Sequence, residues 1–168
     1  MSLREIKAPH SLDSEPRQLR LFLAGSIEMD TAERWQDRFI KLLDPELPLT
    51  VLNPRRDHWD STWEQRASNP KFSEQVNWEL DGLTVADLVL FYFDPNTKAP
   101  ITLLEFGLQV ARMDCWPRLL VVCPDGYWRK GNVDIVCSRN LIRQVDTLEQ
   151  AARIVKHRVD HMTEMDRL

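Results

Sequence analysis

This sequence lacks the features that mark membrane-spanning, secreted and nucleic-acid-binding proteins. Its longest apolar run, residues 88–93, is far too short to cross a bilayer. No basic run is present and the formal net charge is -4, which argues against nucleic acid as a partner. The first 18 residues are polar and contain no apolar signal-peptide segment, so we expect no secretory signal.

Cysteine and histidine are scarce and do not occur at metal-ligand spacing. Cys115, Cys123 and Cys137 are odd in number, which does not suit a disulfide framework and is typical of reduced thiols in a core. His58 has no companion ligands near it in the sequence. We therefore expect a cytoplasmic protein that uses no metal and no cofactor.

The composition is that of a globular domain, with 43% hydrophobic and 29% charged residues. From residue 19 onward, continuous apolar runs alternate with helix-like segments, a pattern typical of a parallel sheet covered on both faces. We expect an α/β flavodoxin-like or Rossmann-like three-layer sandwich with a parallel sheet of about five strands. Residues 19–168 are assigned to this single domain and residues 1–18 to a flexible N-terminal arm. The expected strands are LRLFLAG, LTVLNP, ADLVLFYF, PRLLVVCP and NLIRQV.

One predicted helix, over residues 99–113, combines an apolar stripe with a single carboxylate. The stripe of Ile101, Leu104, Leu108 and Ala111 has helical spacing and is expected to pack against the sheet. Glu105 lies on or beside this stripe, and an uncompensated buried carboxylate costs several kcal/mol. Glu105 also follows a strand end closely, where the positive helix end favours its charged form. The pattern indicates a functional role for Glu105.

Three other helices follow from spacing and caps. A helix near residues 31–44 is expected to begin at Asp30 or Thr31. The last helix is expected to begin with a capping box from Asp146 to Glu149. A helix near residues 71–86 is expected to bury one apolar face, made of Phe72, Val76, Leu80 and Leu83.

Ligands in such folds bind beyond the carboxyl ends of the strands, where four loops carry polar and aromatic residues. The turn at Ala24, Gly25 and Ser26 suits either a phosphate or a close strand-to-helix connection. Arg55 and Arg56 suit either an anion or solvent. We expect the loop tryptophans Trp59 and Trp63 either to stack on a flat ligand or to pack their loop against the domain. Asp94, at a strand end, is a candidate for binding a hydroxyl group. Two carboxylates, Glu79 and Asp81, lie in the helix near residues 71–86. We expect Asp81 to be exposed on the helix surface, whereas the sequence does not decide which way Glu79 points.

Four segments occur in the order LFLAGSIE, LNPRRDHWD, VNWELDGLTVADLVLFYFDP and ITLLEFGLQVA. With them the chain resembles the nucleoside 2-deoxyribosyltransferase family, in particular its nucleoside 2-deoxyribosyltransferase-like branch, over roughly residues 19–144. The resemblance implies that Glu105, in a Glu-Phe-Gly match, is the nucleophile that attacks C1′ of the sugar. It implies that Ala24-Gly25 is the strand-end turn and that Glu79 is the acid that handles the nucleobase. Asn132 matches an asparagine presented by a neighbouring subunit, which implies a homodimer or higher homo-oligomer.

The resemblance departs from the family pattern at the 5′ end of the sugar. Members that act on free nucleosides have an aspartate six residues before the nucleophile, where this chain has Ala99 beside Lys98. Lys98, with Arg55 and Arg56 from a neighbouring strand end, would place positive charge at one rim and would suit a 5′-phosphate. The alternative is that Asp94 or Asn96 holds a 5′-hydroxyl.

The implied function is N-glycosyl transfer or hydrolysis on (deoxy)nucleosides or nucleotides. A nucleoside 5′-monophosphate N-glycosidase and a non-catalytic nucleotide-binding module are the alternatives.

Overall fold

The computed structural model describes residues 2–13, 18–27, 33–57, 60, 62–112 and 118–165. The strands are β1 (Arg4–Lys7), β2 (Leu19–Gly25), β3 (Leu49–Asn53), β4 (Leu88–Tyr92), β5 (Leu119–Val122) and β6 (Arg143–Val145). The helices of these residues are α1 (Trp35–Lys41), α2 (Pro70–Val85), α3 (Pro100–Val110), α4 (Lys130–Arg139) and α5 (Leu148–Met165). Within the described ranges, no helix is long and apolar enough to cross a membrane.

The six strands form one parallel sheet in the order β1-β3-β2-β4-β5-β6. The last five strands have the flavodoxin order, since the chain moves to one side from β2 to β3 and then crosses to β4 on the other side. The predicted three-layer α/β fold is confirmed, with six strands rather than about five. The crossing places a topological switch point between the carboxyl ends of β2 and β4.

Helices cover both faces of the sheet, and alternate strand residues supply the two cores. On β2, Leu21 and Leu23 pack in the core under α1 and α5, which contribute Trp35 and Val155 among others. Phe22 faces the opposite core, which is covered by α2, α3 and α4. Two-sided coverage explains why the central strands are continuous apolar runs.

The N-terminal segment contributes an edge strand, which corrects the prediction of a flexible arm over residues 1–18. Residues Arg4–Lys7 pair with Thr50–Asn53 of β3 in parallel register. Ile6 packs against one core, while the charged residues of REIK tolerate the exposed outer edge. Lys7 also forms a 2.7 Å ion pair with Asp57. An edge strand needs little apolar sequence, so composition alone did not reveal it.

The prediction of which face of α2 is buried is partly wrong. Leu80 is 42% exposed, whereas Gln75, Trp78 and Gly82 join Leu83 on the buried side. Gly82 explains the rotation, because a Cβ there would lie 2.6 Å from the Phe22 ring. A residue without a side chain lets this face approach the sheet closely.

The apolar stripe of α3 points away from the sheet, contrary to the prediction. Ile101 and Leu104 are each 59% exposed and Leu108 is 49% exposed; these three residues are called the outer stripe below. The face toward the sheet carries Glu105 and Phe106, together with Thr102 and Gln109. Phe106 makes edge contacts with the rings of Phe91 and Phe93 of the core, so it fixes the inward face of the helix.

The capping box of α5 lies one residue later than predicted. Gln150 N donates to Thr147 Oγ1 at 3.2 Å, and Thr147 N donates to Gln150 Oε1 at 3.2 Å. A hydroxyl and a glutamine thus replace the predicted pair of Asp146 and Glu149. The predicted cap of α1, at residue 30 or 31, lies outside the described residues.

Two of the three cysteines are buried thiols. Burial raises the pKa of Cys123 to about 11 and that of Cys137 to about 12, so both are protonated and unreactive near neutral pH. Both pack in the core under α2, α3 and α4. The third, Cys115, lies outside the described residues.

Candidate active site

The switch point brings the loops after β2 and β4 together. A Cβ at Gly25 would lie 2.7 Å from Tyr92 O and 2.6 Å from the Trp35 ring, so only glycine fits between these neighbours. Ser26 is buried beside it, and its hydroxyl oxygen lies 2.6 Å from Thr97 Oγ1. Trp35 Nε1 donates to Ser26 O at 3.1 Å. The turn at residues 24–26 is therefore fixed by packing and hydrogen bonds.

Glu105 lies in the second turn of α3 and is only 8% exposed. Burial, with a smaller contribution from the nearby charge of Glu79, raises the pKa of its carboxyl to about 8. The helix end was expected to favour the charged form. That field acts mainly on the first turn, so burial dominates at Glu105.

Glu79 projects from α2 toward the same region. Burial raises the pKa of Glu79 to about 7, opposed by a hydrogen bond from Gln75 and by the charge of Arg56. The structure thus brings together the two carboxyls that the sequence nominated. Because ionised Glu79 disfavours ionisation of Glu105, the pair holds about one proton in the pH range between the two titrations.

A hydrogen-bonded network that the sequence analysis missed supports Glu79. Gln75 Nε2 donates to Glu79 Oε1 at 2.8 Å and to Pro54 O at 2.8 Å. Arg56 Nε donates to Gln75 Oε1, and Arg56 also pairs with Glu74 at 2.8 Å. The available signal was spacing, since Gln75 and Glu79 are four residues apart on one helix and therefore neighbours on its surface.

Arg55 and Arg56 point to opposite faces of the sheet, which separates two residues that the sequence grouped at one rim. Arg55 is 4% exposed and donates to Glu33 O at 2.8 Å and to Gln36 Oε1 at 3.4 Å, at the start of α1. The guanidinium of Arg56 turns toward α2. Substrate binding by Arg55 stays a prediction.

The loop before α3 holds the other predicted sugar-binding residues. Asp94 is buried, and its Oδ1 accepts from Asn96 N at 2.9 Å and from Asn96 Nδ2 at 3.2 Å, so this oxygen shapes the loop. Lys98 is exposed, and its carbonyl accepts from Tyr127 Oη at 2.9 Å and from Trp128 Nε1 at 3.0 Å. The start of α3 is thereby tied to the loop after β5.

The remaining predicted residues are Asn132 and the aromatic residues and histidine of the loop after β3. Asn132 is exposed in the first turn of α4. Trp63 lies beneath Arg56, whose guanidinium carbon is 5.5 Å from the ring centroid, which favours a loop-pinning role. Trp59 and His58 lie outside the described residues. Among the residues that are described, no three His, Cys, Asp or Glu side chains are grouped to hold a metal.

Comparisons with known proteins agree with this architecture. Residues 18–127 match the profile of the family described as nucleoside 2-deoxyribosyltransferase like. The fold is similar to the crystal structure of a conserved protein from Enterococcus faecalis V583, with a TM-score of 0.56 and 14% sequence identity. The similarity covers 84% of this chain and 99% of that chain. No curated protein matches the sequence.

Proposed function

The chain belongs to the nucleoside 2-deoxyribosyltransferase-like family, and we propose on that premise that it is an enzyme cleaving N-glycosidic bonds. Its substrates are (deoxy)nucleosides or nucleotides, and its nucleophile is Glu105. One observation carries the proposal: near the switch point, the buried carboxyl of Glu105 of α3 lies close enough to the half-buried Glu79 of α2 for the charge of Glu79 to raise the pKa of Glu105. Paired carboxyls with one shared proton suit a reaction that needs both a nucleophile and an acid.

In the proposed reaction, a carboxylate oxygen of Glu105 attacks C1′ of the sugar. The C1′–N bond breaks, its electron pair goes to the base, and Glu79 supplies the proton that neutralises the leaving base. Ionised Glu79 then takes a proton from a second base or from water, which attacks C1′ and releases Glu105. The reaction needs no oxidant, reductant or other co-reactant besides the substrate and the acceptor.

Substrate binding places the shared proton on the acid. In the free protein, the hydrogen bond from Gln75 favours ionised Glu79 and so leaves the proton on Glu105. A base nitrogen beside Glu79 accepts a hydrogen bond only from the protonated acid. Binding therefore favours protonated Glu79 and leaves Glu105 ionised for attack.

A 5′-monophosphate N-glycosidase is the second candidate, because Ala99 lacks the side-chain oxygen that would hold a 5′-hydroxyl and Lys98 lies beside it. Arg55 and Arg56 form hydrogen bonds with α1 and α2, and Lys98, next to Ala99 in the sequence, is the cation that the test replaces. Lys98→Ala is expected to weaken binding of a monophosphate about tenfold and to leave the nucleoside unaffected. A wild type that binds the monophosphate tenfold more weakly than the nucleoside would favour free nucleosides, held by Asp94 or Asn96.

A homo-oligomer is also proposed, since the family resemblance assigns Asn132 to a neighbour's site. Two observations support it: Asn132 is exposed, and the outer stripe lies on the helix that carries Glu105. The stripe has no charged side chain, so two copies of it would meet without charge repulsion. A clean monomer with full activity would contradict the proposal.

The test is a panel of deoxynucleosides and 5′-monophosphates, incubated with and without a second free base and analysed by chromatography. Base release alone indicates hydrolysis, and formation of a new nucleoside or nucleotide indicates transfer. Glu105→Ala is expected to abolish both while the circular dichroism spectrum stays that of the wild type. Binding of panel members without any turnover by the wild type would leave the non-catalytic binding module as the function.

A further inference from the structure

The orientation of the Gln75 amide follows from its three partners. Arg56 has no acceptor, so the atom facing its Nε is the amide oxygen. Pro54 O has no proton, so the atom facing it is the amide nitrogen. Gln75 is 4% exposed, and no other arrangement satisfies both neighbours. The second N–H therefore points at Glu79 Oε1, 2.8 Å away.

This amide distinguishes the two oxygens of Glu79. Oε1 accepts the Gln75 N–H, and the carbonyl oxygen of a carboxylic acid is a better acceptor than its hydroxyl oxygen. When Glu79 is protonated, the hydroxyl therefore belongs at Oε2. We propose that Gln75, held by Arg56, is a positioning residue that places the acidic proton of Glu79 on Oε2 and keeps this acid strong. The catalytic role of Gln75 rests on the proposed function. The placement of the Glu79 proton on Oε2 does not depend on that function.

The network gives Gln75 a role beyond packing. Burial favours the neutral form of Glu79, whereas the hydrogen bond from Gln75 and the nearby charge of Arg56 both stabilise its ionised form. Glu74 pairs with Arg56 from the exposed side of α2 and helps to hold the guanidinium. An acid that titrates near neutral pH transfers its proton more readily than one that stays protonated far above it.

The direct test is NMR titration of protein labelled with ¹³C at the glutamate carboxyl, comparing wild type with Gln75→Met. Loss of the amide donor is expected to raise the pKa of Glu79 by about one unit. Gln75→Asn, whose amide is one methylene shorter, is expected to raise it in the same direction and serves if the first variant does not fold. An unchanged Glu79 titration in a folded variant overturns the inference, whether or not the protein is a glycosidase.

Gln18→Met is the matched control. Gln18 is also a buried glutamine with two hydrogen bonds, to Ser2 O at 3.3 Å and from Thr50 Oγ1 at 3.2 Å, but it precedes β2 at the opposite end of the sheet. Its replacement tests the effect of losing buried amide bonds in general. A Glu79 shift equal to that of Gln75→Met would show a global effect and would also overturn the inference.

The catalytic meaning is tested by the leaving group. Gln75→Met is expected to lower kcat about tenfold for a nucleoside whose base needs protonation. It is expected to leave kcat unchanged for a 4-nitrophenyl glycoside, whose leaving group departs without a proton. Equal losses for both substrates would indicate misplaced Glu105 and contradict a role through Glu79. If the wild type cleaves neither, the proposed function fails while the titration still decides the inference.

Discussion

Folding favours the neutral form of the Glu105 carboxyl over its ionised form, relative to the unfolded chain. Its pKa rises from 4.5 to about 8 on burial, so the folded state holds a proton that the unfolded state loses between these values. Stability from this group is complete below the unfolded pKa and is lost as pH rises through the folded one. Glu105→Gln keeps the site neutral at every pH. We expect its stability to lie within about 1 kcal/mol of the wild type near pH 5 and to exceed it near pH 9, by about 5 kcal/mol.

Urea unfolding at the two pH values measures this difference. The control is Glu149→Gln, since Glu149 is ion-paired with Arg38 at 2.7 Å and that partner lowers its pKa. The control should show no gain at high pH. Equal stabilities of Glu105→Gln and wild type at pH 9 would contradict the cost of burying Glu105.

Ala99 has a conformation that alanine rarely adopts. With φ at 46° it is left-handed, and it precedes α3 without a side-chain cap. Aspartate tolerates this conformation better and caps a helix. We expect Ala99→Asp to preserve the fold and to raise kcat/KM for a free deoxynucleoside about tenfold relative to its monophosphate. Ala99→Asn, which caps without the charge, separates capping from repulsion of the phosphate. An unchanged ratio for Ala99→Asp would remove Ala99 from the 5′ subsite.

At the scale of elements, α3 carries the proposed nucleophile Glu105 on its inward face and the outer stripe on the opposite face. Because Leu104 and Leu108 point away from the sheet, their joint replacement by glutamine should leave the fold intact and disrupt association. Light scattering is expected to show a change from oligomer to monomer at micromolar concentration. Leu42→Gln, an exposed leucine that follows α1 on the opposite face, should leave the molar mass unchanged. The same molar mass for both variants would exclude the outer stripe as the interface.

The number of protons held by Glu79 and Glu105 depends on the whole fold. The two residues belong to separate helices, α2 and α3, and come near each other only in the folded chain. The pair is doubly protonated well below pH 7 and fully ionised well above pH 8. We expect kcat/KM to follow a bell-shaped pH profile with its maximum between about pH 7 and 8. Glu79→Gln should remove the dependence on the shared proton. A wild-type rate that is flat from pH 5 to 9 would contradict the one-proton pair.

Metal independence is a second prediction for the whole protein, because the proposed proton and electron transfers use only side chains, substrate and acceptor. Activity is expected to be unchanged after dialysis against a chelator, measured by base release. Activity lost on dialysis and restored by a divalent ion would require a different mechanism.

The sequence by itself determined the fold class and nominated Glu105 as the proposed nucleophile. Continuous apolar runs require strands buried on both faces, which explains why the parallel three-layer sheet was predictable. Glu105 was identifiable because a carboxylate among apolar helical residues after a strand end has few structural reasons to be there. The motif resemblance added Glu79, and the family membership agrees with that resemblance.

Tertiary structure alone decided which faces point inward and which residues meet. Periodicity tells which side chains of α3 share a face. Phe106 and the outer stripe are both apolar, so periodicity does not tell which of these two faces packs against the sheet. Edge strand β1 has too few apolar residues to be recognised without its partner. The meeting of Gln75 with Arg56 joins a helix to a loop some twenty residues away. Such contacts depend on how the elements pack, which local sequence does not encode.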